Sequence, residues 1–243
     1  MKPLAIDLFC GLGGWTEGLL AEGYRVVGFD IERHDYGDGK RYPAQLVLQD
    51  ILTIHGRQFK SAALIVASPP CQAYSYRAMP WKRAKALPPP DNTLFETCFR
   101  IPREAIEAAG HFIPLVVENV RGAIPWVGRS RWNYGSFHLW GDVPALMPMA
   151  KAIKNNGGSW FAVAHNTTSG NSKNPVHDLT AQGTKQGGDW FSDNTGLCKH
   201  SGKSPARKAA SAMIAKIPLP LARHIGWAWN PRRGGADEQQ QRG

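Results

Sequence analysis

The strongest constraint on the fold is a repeated pattern: short apolar runs that break into glycine or end on a polar residue, with helix-like segments between them. LAIDLFCG (4–11) is an apolar strand that breaks into glycine. GWTEGLLAEG (14–23) reads as a helix with Gly23 as its C-cap. RVVGFD (25–30) and LVLQDI (46–51) are strands that end on acids, and AALIVASPP (62–70) is a fourth. Residues 93–110 have a helical pattern that Pro102 is expected to interrupt. IPLVVENV (113–120) is the next strand and ends on Glu118–Asn119. Strands alternating with helices predict an α/β chain: a mostly parallel, Rossmann-like sheet with helices on both faces.

The pattern changes near residue 150. From Asn155 to Lys208 the chain is rich in Gly, Asn, Ser, Thr and Lys, and only SWFAVAH resembles a strand. Apolar periodicity returns over 209–229 as helix, proline break, helix. The expected organisation is a main domain over 1–149, an irregular region over 150–208, returning helices over 209–230 and a disordered tail over 231–243. No run of 18 apolar residues is present, which excludes a membrane-spanning helix. The first residues carry no signal-peptide pattern, so a cytoplasmic location is expected. The four cysteines (10, 71, 98 and 198) form no CxxC pair and are expected to be free. A net charge of +10 with nine tryptophans favours a polyanionic partner, since cations suit phosphates and aromatic rings suit bases.

The polar ends of the predicted strands share one edge of such a sheet: the glycine turn 11–14, Asp30, Asp50, Cys71 and Glu118. Ligands bind at that edge in open α/β folds. The turn DLFCGLGG lets a backbone approach a ligand closely, and by itself fits a nicotinamide or an S-adenosylmethionine site equally. Asp30 is placed to accept from ribose hydroxyls and Asp50 from an adenine amino group. Two prolines fix the backbone before Cys71 and aim its sulfur.

DLFCGLGG, then PPCQAYS, then ENV, in this order and spacing, resembles the C5-cytosine-specific DNA methyltransferase family. The resemblance covers roughly residues 4–141 and 212–226 and includes DNTLF (91–95). The stretch WNYGSFHLWGDVPALMP and the small size are similar to phage-type members. The resemblance implies a class I S-adenosylmethionine-dependent methyltransferase in which 150–208 is a reduced target-recognition region. It implies Cys71 as the nucleophile that adds to cytosine C6, because a thiolate is intrinsically nucleophilic and C5 is not until C6 is attacked. Glu118 then stabilises the charge that builds on the ring. Arg129 and Arg131 bind cytosine O2 or order the cysteine, and Asn119 holds the local turn. Phe9, Gly11, Leu12, Gly14, Asp30, Ile31, Asp50, Ile51, Pro70 and Leu94 match positions that contact S-adenosylmethionine. Gln72 and Ser75 match positions near the DNA backbone and the flipped base. The segment 76–90 is similar to the family's mobile catalytic loop, with Arg77, Lys82, Arg83 and Lys85 for phosphates and Trp81 beside the flipped base.

Two departures stand out. The family's QxRxR pattern reads VGRSR from Val127, and Ala215–Lys216 replaces a Gly-Asn at the methionine end of the cofactor pocket. The short insert implies a short DNA target, with Lys203, Arg207 and Lys208 among its phosphate contacts. His165, His177, Cys198 and His200 match no standard metal spacing, so no metal is expected. The leading reading is a DNA cytosine-C5 methyltransferase acting on double-stranded DNA, expected to be a monomer. An RNA (tRNA) methyltransferase of the same family ranks second and a catalytically silent nucleic-acid-binding relative third. A nicotinamide oxidoreductase ranks last, because PPCQ and ENV have no role there.

Overall fold

The computed structural model describes residues 1–34, 41–75, 86–147, 212 and 215–233. Seven strands among them form one sheet: β1 (Leu4–Leu8), β2 (Arg25–Asp30), β3 (Gln45–Leu48), β4 (Ala62–Ala67), β5 (Leu115–Asn119), β6 (Trp132–Tyr134) and β7 (Phe137–Gly141). Their spatial order is β3-β2-β1-β4-β5-β7-β6. The pairs from β3 through β5 are parallel, and β7 runs antiparallel to both β5 and β6. Four helices among the described residues accompany the sheet: α1 (Gly14–Ala21), α2 (Thr93–Ala109), the short α3 (Ile124–Val127) and α4 (Leu219–Ala228).

Both faces of the central strands are buried, which is why they read as nearly continuous apolar runs. On one face Ile6, Leu8, Ile65 and Val117 pack with Phe95, Cys98 and Ile101 of α2. On the other, Ala5, Leu64, Val66 and Val116 pack with Trp15 and Leu19 of α1 and with Leu221, Ala222 and Ile225 of α4. The α1–α4 contact is close: a Cβ at Gly18 would lie 2.3 Å from the Cβ of Ala222.

Strand β2 has the bounds read from the sequence and β5 ends on Asn119 as read, while β1, β3 and β4 end earlier. β3 stops at Leu48, so Asp50 stands two residues beyond it as the N-cap of a short 3-10 turn. β4 stops at Ala67, leaving Ser68–Pro70 outside the strand. β5 ends on Asn119, so Glu118 and Asn119 still lie on the strand. Pro102 does not interrupt α2, which runs unbroken from Thr93 to Ala109. The proline removes one hydrogen bond at a cost of about 3 kcal/mol. Burying Phe95, Ile101 and Pro102 itself offsets that, at about 1.5–3 kcal/mol for each large apolar side chain.

The sheet order sets the position of the site. From β1 the chain winds outward to β2 and β3, and from β4 it winds the other way to β5. The loops after β1 and β4 therefore diverge and leave a crevice at the C-terminal edge of the sheet. Along that edge stand, in spatial order, Asp50, Asp30, the glycine turn, Cys71 and Glu118–Asn119. Arg77, Trp81, Lys82, Arg83 and Lys85, expected from the sequence in a catalytic loop, lie outside the described residues, as do Lys203, Arg207, Lys208 and the whole 150–208 region. No helix of the described residues is long and apolar enough to cross a membrane.

Candidate active site

The turn after β1 is strained. Phe9 has φ +56°, a conformation that β-carbon-bearing residues rarely adopt, and Gly11 and Gly13 follow at +51° and +77°. Strain of this kind persists only where the surroundings over-determine it. Here Cys10 N–H donates to the Phe29 carbonyl at 3.1 Å and Gly13 N–H to the Cys10 carbonyl at 2.8 Å. Gly11 N–H donates to Asp30 Oδ2 at 2.9 Å. A Cβ at Gly11 would meet nothing within 4 Å, so this part of the turn lines open space.

Asp30 is thus an anchor for the turn as well as a candidate ribose acceptor. Its Oδ1 accepts from Ile31 N–H at 2.8 Å and faces His34 Nε2 at 3.4 Å. Burial works against its charge. Hydrogen bonds from His34 and the Gly11 and Glu32 N–H groups outweigh that and hold the carboxyl below its usual range. The same bond to Asp30 raises His34, against the effect of burial. Oδ2 accepts from Gly11 N–H and has a second lone pair for a hydroxyl. Beside it Ile31 is 72% exposed, and Leu48 and Leu52 also show apolar surface at the ends of β3 and the next turn. A flat aromatic base suits such a surface.

A buried polar node supports the turn from below. Asp7 on β1 is 0% exposed, and Thr16 Oγ1 donates to its Oδ2 at 2.7 Å. The Tyr42 hydroxyl hydrogen-bonds with that of Thr16, and Tyr42 and Pro43 pack against Gly13. Asp7 Oδ1 has no partner among the described residues. Burial, offset only in part by Thr16, pushes the Asp7 carboxyl up to about 7.

The segment before Cys71 is held at two successive residues. Trp15 Nε1, from the first turn of α1, donates to Ser68 Oγ at 2.9 Å. Asn119 Nδ2, from the end of β5, donates to the Pro69 carbonyl at 3.0 Å. Beyond the cysteine, Gln72–Tyr74 form a 3-10 turn in which Tyr74 N–H and Ser75 Oγ both bond the Cys71 carbonyl, at 3.0 and 2.9 Å. Tyr74 OH donates to Asn92 Oδ1 at 2.9 Å, just before α2. Cys71 is half-buried, whereas Cys10 and Cys98 are buried and burial pushes their thiols up. Among the described cysteines, Cys71 alone is partly exposed.

Glu118 is buried and lies one residue past Val117, the register partner of Ala67 on β4. Arg129 and Arg131 are exposed on the stretch that enters β6, and Arg131 N–H bonds the Leu139 carbonyl at 2.8 Å. Leu139 is the register partner of Glu118, so the arginine stretch lies across β7 from the acid. Gln72 and Pro70 are exposed, Leu94 is half-buried in the first turn of α2, and Leu12 is half-buried in the glycine turn. Gly14 meets the returning chain, where a Cβ would lie 2.5 Å from Ile217 N. Next to it, the departing residue Lys216 pairs with Glu17 of α1 at 2.6 Å. Asp50 Oδ1 caps its own turn by accepting from Leu52 N–H at 2.9 Å. Ile51 is buried in the core, so contact with a ligand falls to its main chain.

Sequence reasoning missed Trp15, Ser68, Tyr42 and Asn92 as supports of the site. Only Asn92 had a local signal, standing in the Asp91–Asn92–Thr93 start of α2, where Asp91 Oδ1 accepts from Thr93 N–H at 2.8 Å. Among the described residues no group of three or more His, Cys, Asp or Glu side chains is placed to hold a metal ion. His165, His177, Cys198 and His200 lie outside those residues.

A mostly parallel seven-stranded sheet with helices on both faces and a strained glycine turn after β1 defines a class I methyltransferase fold. Residues 4–124 match the family model described as C-5 cytosine-specific DNA methylase, so this part of the chain carries that family's domain. Solved structures with likeness to the chain include a protein described as a DNA modification methyltransferase encoded within an E. coli prophage. It is 22% identical over 51% of this chain and 33% of that one, with a TM-score of 0.35. S. pombe Dnmt2 methyltransferase is 17% identical over 51% of this chain and 36% of that one, with a TM-score of 0.34. Entamoeba histolytica methyltransferase EhMeth is 17% identical over 52% of this chain and 41% of that one, also at 0.34. The chain thus aligns with well under half the length of these structures. No curated protein matches it.

Proposed function

We propose that this protein transfers a methyl group from S-adenosylmethionine to C5 of cytosine in double-stranded DNA, through a covalent bond between Cys71 and C6 of a flipped base. The observation that carries the reading is the Asn119–Pro69 hydrogen bond. It ties the strand bearing Glu118 to the segment just before Cys71, which supports a reading in which the thiol and the carboxyl act on one base.

The cofactor reading is supported by the open space at Gly11, the anchored Asp30 carboxylate and the apolar surface of Ile31, Leu48 and Leu52. Phe9, Gly11, Leu12, Gly14, Asp30, Ile31, Asp50, Ile51, Pro70 and Leu94 are the proposed contacts. When bound, S-adenosylmethionine supplies an electrophilic methyl group. The chain supplies the rest. The Cys71 sulfur bonds to C6, and the displaced electron pair makes C5 enamine-like. Glu118 holds a proton at N3 and so stabilises the charge that moves into the ring. Arg129 and Arg131 are the proposed cationic donors to O2. Once C5 is substituted, loss of its proton lets the Cys71 sulfur leave with its electron pair. The base must be flipped, because neither C5 nor C6 can be attacked within the stack.

The net charge of +10 supports a polyanionic substrate. The segment 150–208 is short for base readout, and a well-read base pair is worth about 1–3 kcal/mol, so a target of about two or three base pairs is proposed. The test is methyl transfer from labelled S-adenosylmethionine to duplex DNA and to tRNA side by side, followed by bisulfite sequencing of the DNA. Label in DNA at C5 of cytosine within a short motif is expected. Label in tRNA alone would overturn the DNA assignment, and five or more fixed base pairs would overturn the short target.

A further inference from the structure

Trp15 and Ser68 lie 53 residues apart on two elements that both serve the site. Trp15 is the second residue of α1, directly after the glycine turn, and is 1% exposed. Its ring packs in the α1–α4 core, a role any large aromatic ring can fill. Its indole N–H does something more specific, donating to Ser68 Oγ at 2.9 Å. Ser68 is the first residue past β4 and lies three residues before Cys71. Its own N–H donates to the carbonyl of Leu8, the last residue of β1, at 3.1 Å. Side chain and main chain of Ser68 thus both attach to the two ends of the glycine turn: Leu8 before it and Trp15 after it. The next residue, Pro69, is held from the other direction by Asn119.

We infer that the Trp15–Ser68 hydrogen bond is a positioning contact that carries the placement of the glycine turn to the segment that aims Cys71. The inference rests on the function proposed above. The methyl donor's turn and the nucleophile belong to different loops that diverge at the crevice. Without a lateral tie, each loop relaxes independently, and in-line chemistry is sensitive to displacements of about 1 Å. A buried indole N–H with a single hydroxyl partner supplies that tie, because either group left unpaired is unfavourable.

The test is a double-mutant cycle on the full chain, read by single-turnover methyl transfer at saturating S-adenosylmethionine and duplex DNA. Calorimetry with S-adenosylhomocysteine and thermal melts run beside it. Ser68→Ala and Trp15→Phe are each expected to slow transfer about five-fold, the factor for one net hydrogen bond. The double variant should also be slowed about five-fold, because both changes remove the same contact. Cofactor affinity should stay within about two-fold, and Ser68→Thr, which keeps the hydroxyl, should restore most of the rate. Should Trp15→Phe fail to fold, Ser68→Ala against Ser68→Thr decides the matter. An unchanged rate in Ser68→Ala, or losses that multiply to about 25-fold in the double variant, would overturn the inference. Absence of methyl transfer by the unaltered protein would instead overturn the proposed function, and this inference with it.

Discussion

Gly122 sits where the strand bearing Glu118 meets the turn bearing Cys71, and replacing it with alanine tests how finely that meeting is set. A Cβ at Gly122 would lie 2.0 Å from the carbonyl oxygen of Tyr74 and 3.1 Å from its carbon. Contacts of a Cβ do not fall below 3.0 Å, so one element must give way by about 1 Å. The obstacle is main chain and cannot rotate aside. Tyr74 belongs to the 3-10 turn and its N–H bonds the Cys71 carbonyl, so moving it moves the proposed nucleophile. A displacement of about 1 Å in a reacting group costs on the order of 100-fold in rate. Gly122→Ala is therefore predicted to lower single-turnover methyl transfer by about 100-fold, with S-adenosylhomocysteine affinity changed little, because the glycine turn is not touched. Rapid-quench transfer to labelled duplex DNA measures the first quantity and calorimetry the second. A well-folded Gly122→Ala protein with a normal transfer rate would show that the Gln72–Tyr74 turn does not set the aim of Cys71.

Asn119→Ala strips a partner from the buried Pro69 carbonyl and from Val120 N–H, which bonds Asn119 Oδ1 at 2.8 Å. At about 1–3 kcal/mol for each unpaired group, the melting point should fall by several degrees, and an unchanged melt would contradict the pairing. Asp7→Asn should alter pH dependence. The folded Asp7 carboxyl is raised to about 7 from an ordinary value of 3.8, so between those values the unfolded chain has lost a proton that the folded chain keeps. Stability therefore falls as pH rises from about 4 to 7, by about 4 kcal/mol from this group, and levels off above. Urea unfolding at pH 4.5 and 7.5 should show that slope reduced in Asp7→Asn, and an identical slope would refute the assignment. Asp30→Ala should weaken S-adenosylmethionine binding by about 1–3 kcal/mol, since it removes a charged acceptor and frees Gly11 N–H. Calorimetry showing full affinity would place the cofactor elsewhere.

The sequence was most legible where chemistry is local. Apolar runs closed by Asp30, by Pro69–Pro70 and by Glu118 marked three strand ends, and the parallel order then brought them to one edge. The contacts that hold the site were not legible, because their partners are far apart in the chain. Ser68 and Trp15 are separated by 53 residues, Pro69 and Asn119 by 50, and only the sheet order makes them neighbours. Phe9 at φ +56° gave no sign of itself, since glycine is the residue that announces such a turn. Pro102 misled for the opposite reason: its local penalty is real, and tertiary burial along α2 outweighs it. Asp50 and Ile51 were read as the end of the third strand, but β3 stops at Leu48, and capping and core packing already occupy parts of both.

The central claim is that Cys71 is the nucleophile, and covalent trapping tests it most directly. DNA carrying 5-fluorocytosine at the target blocks the loss of the C5 substituent that would release the enzyme. With S-adenosylmethionine present, a protein–DNA adduct is expected that survives denaturation, and peptide mapping should place it on Cys71. Cys71→Ala should form none, while a variant lacking buried Cys10 or Cys98 should still trap if it folds. An equally stable adduct from Cys71→Ala, or one mapped to another residue, would contradict the account.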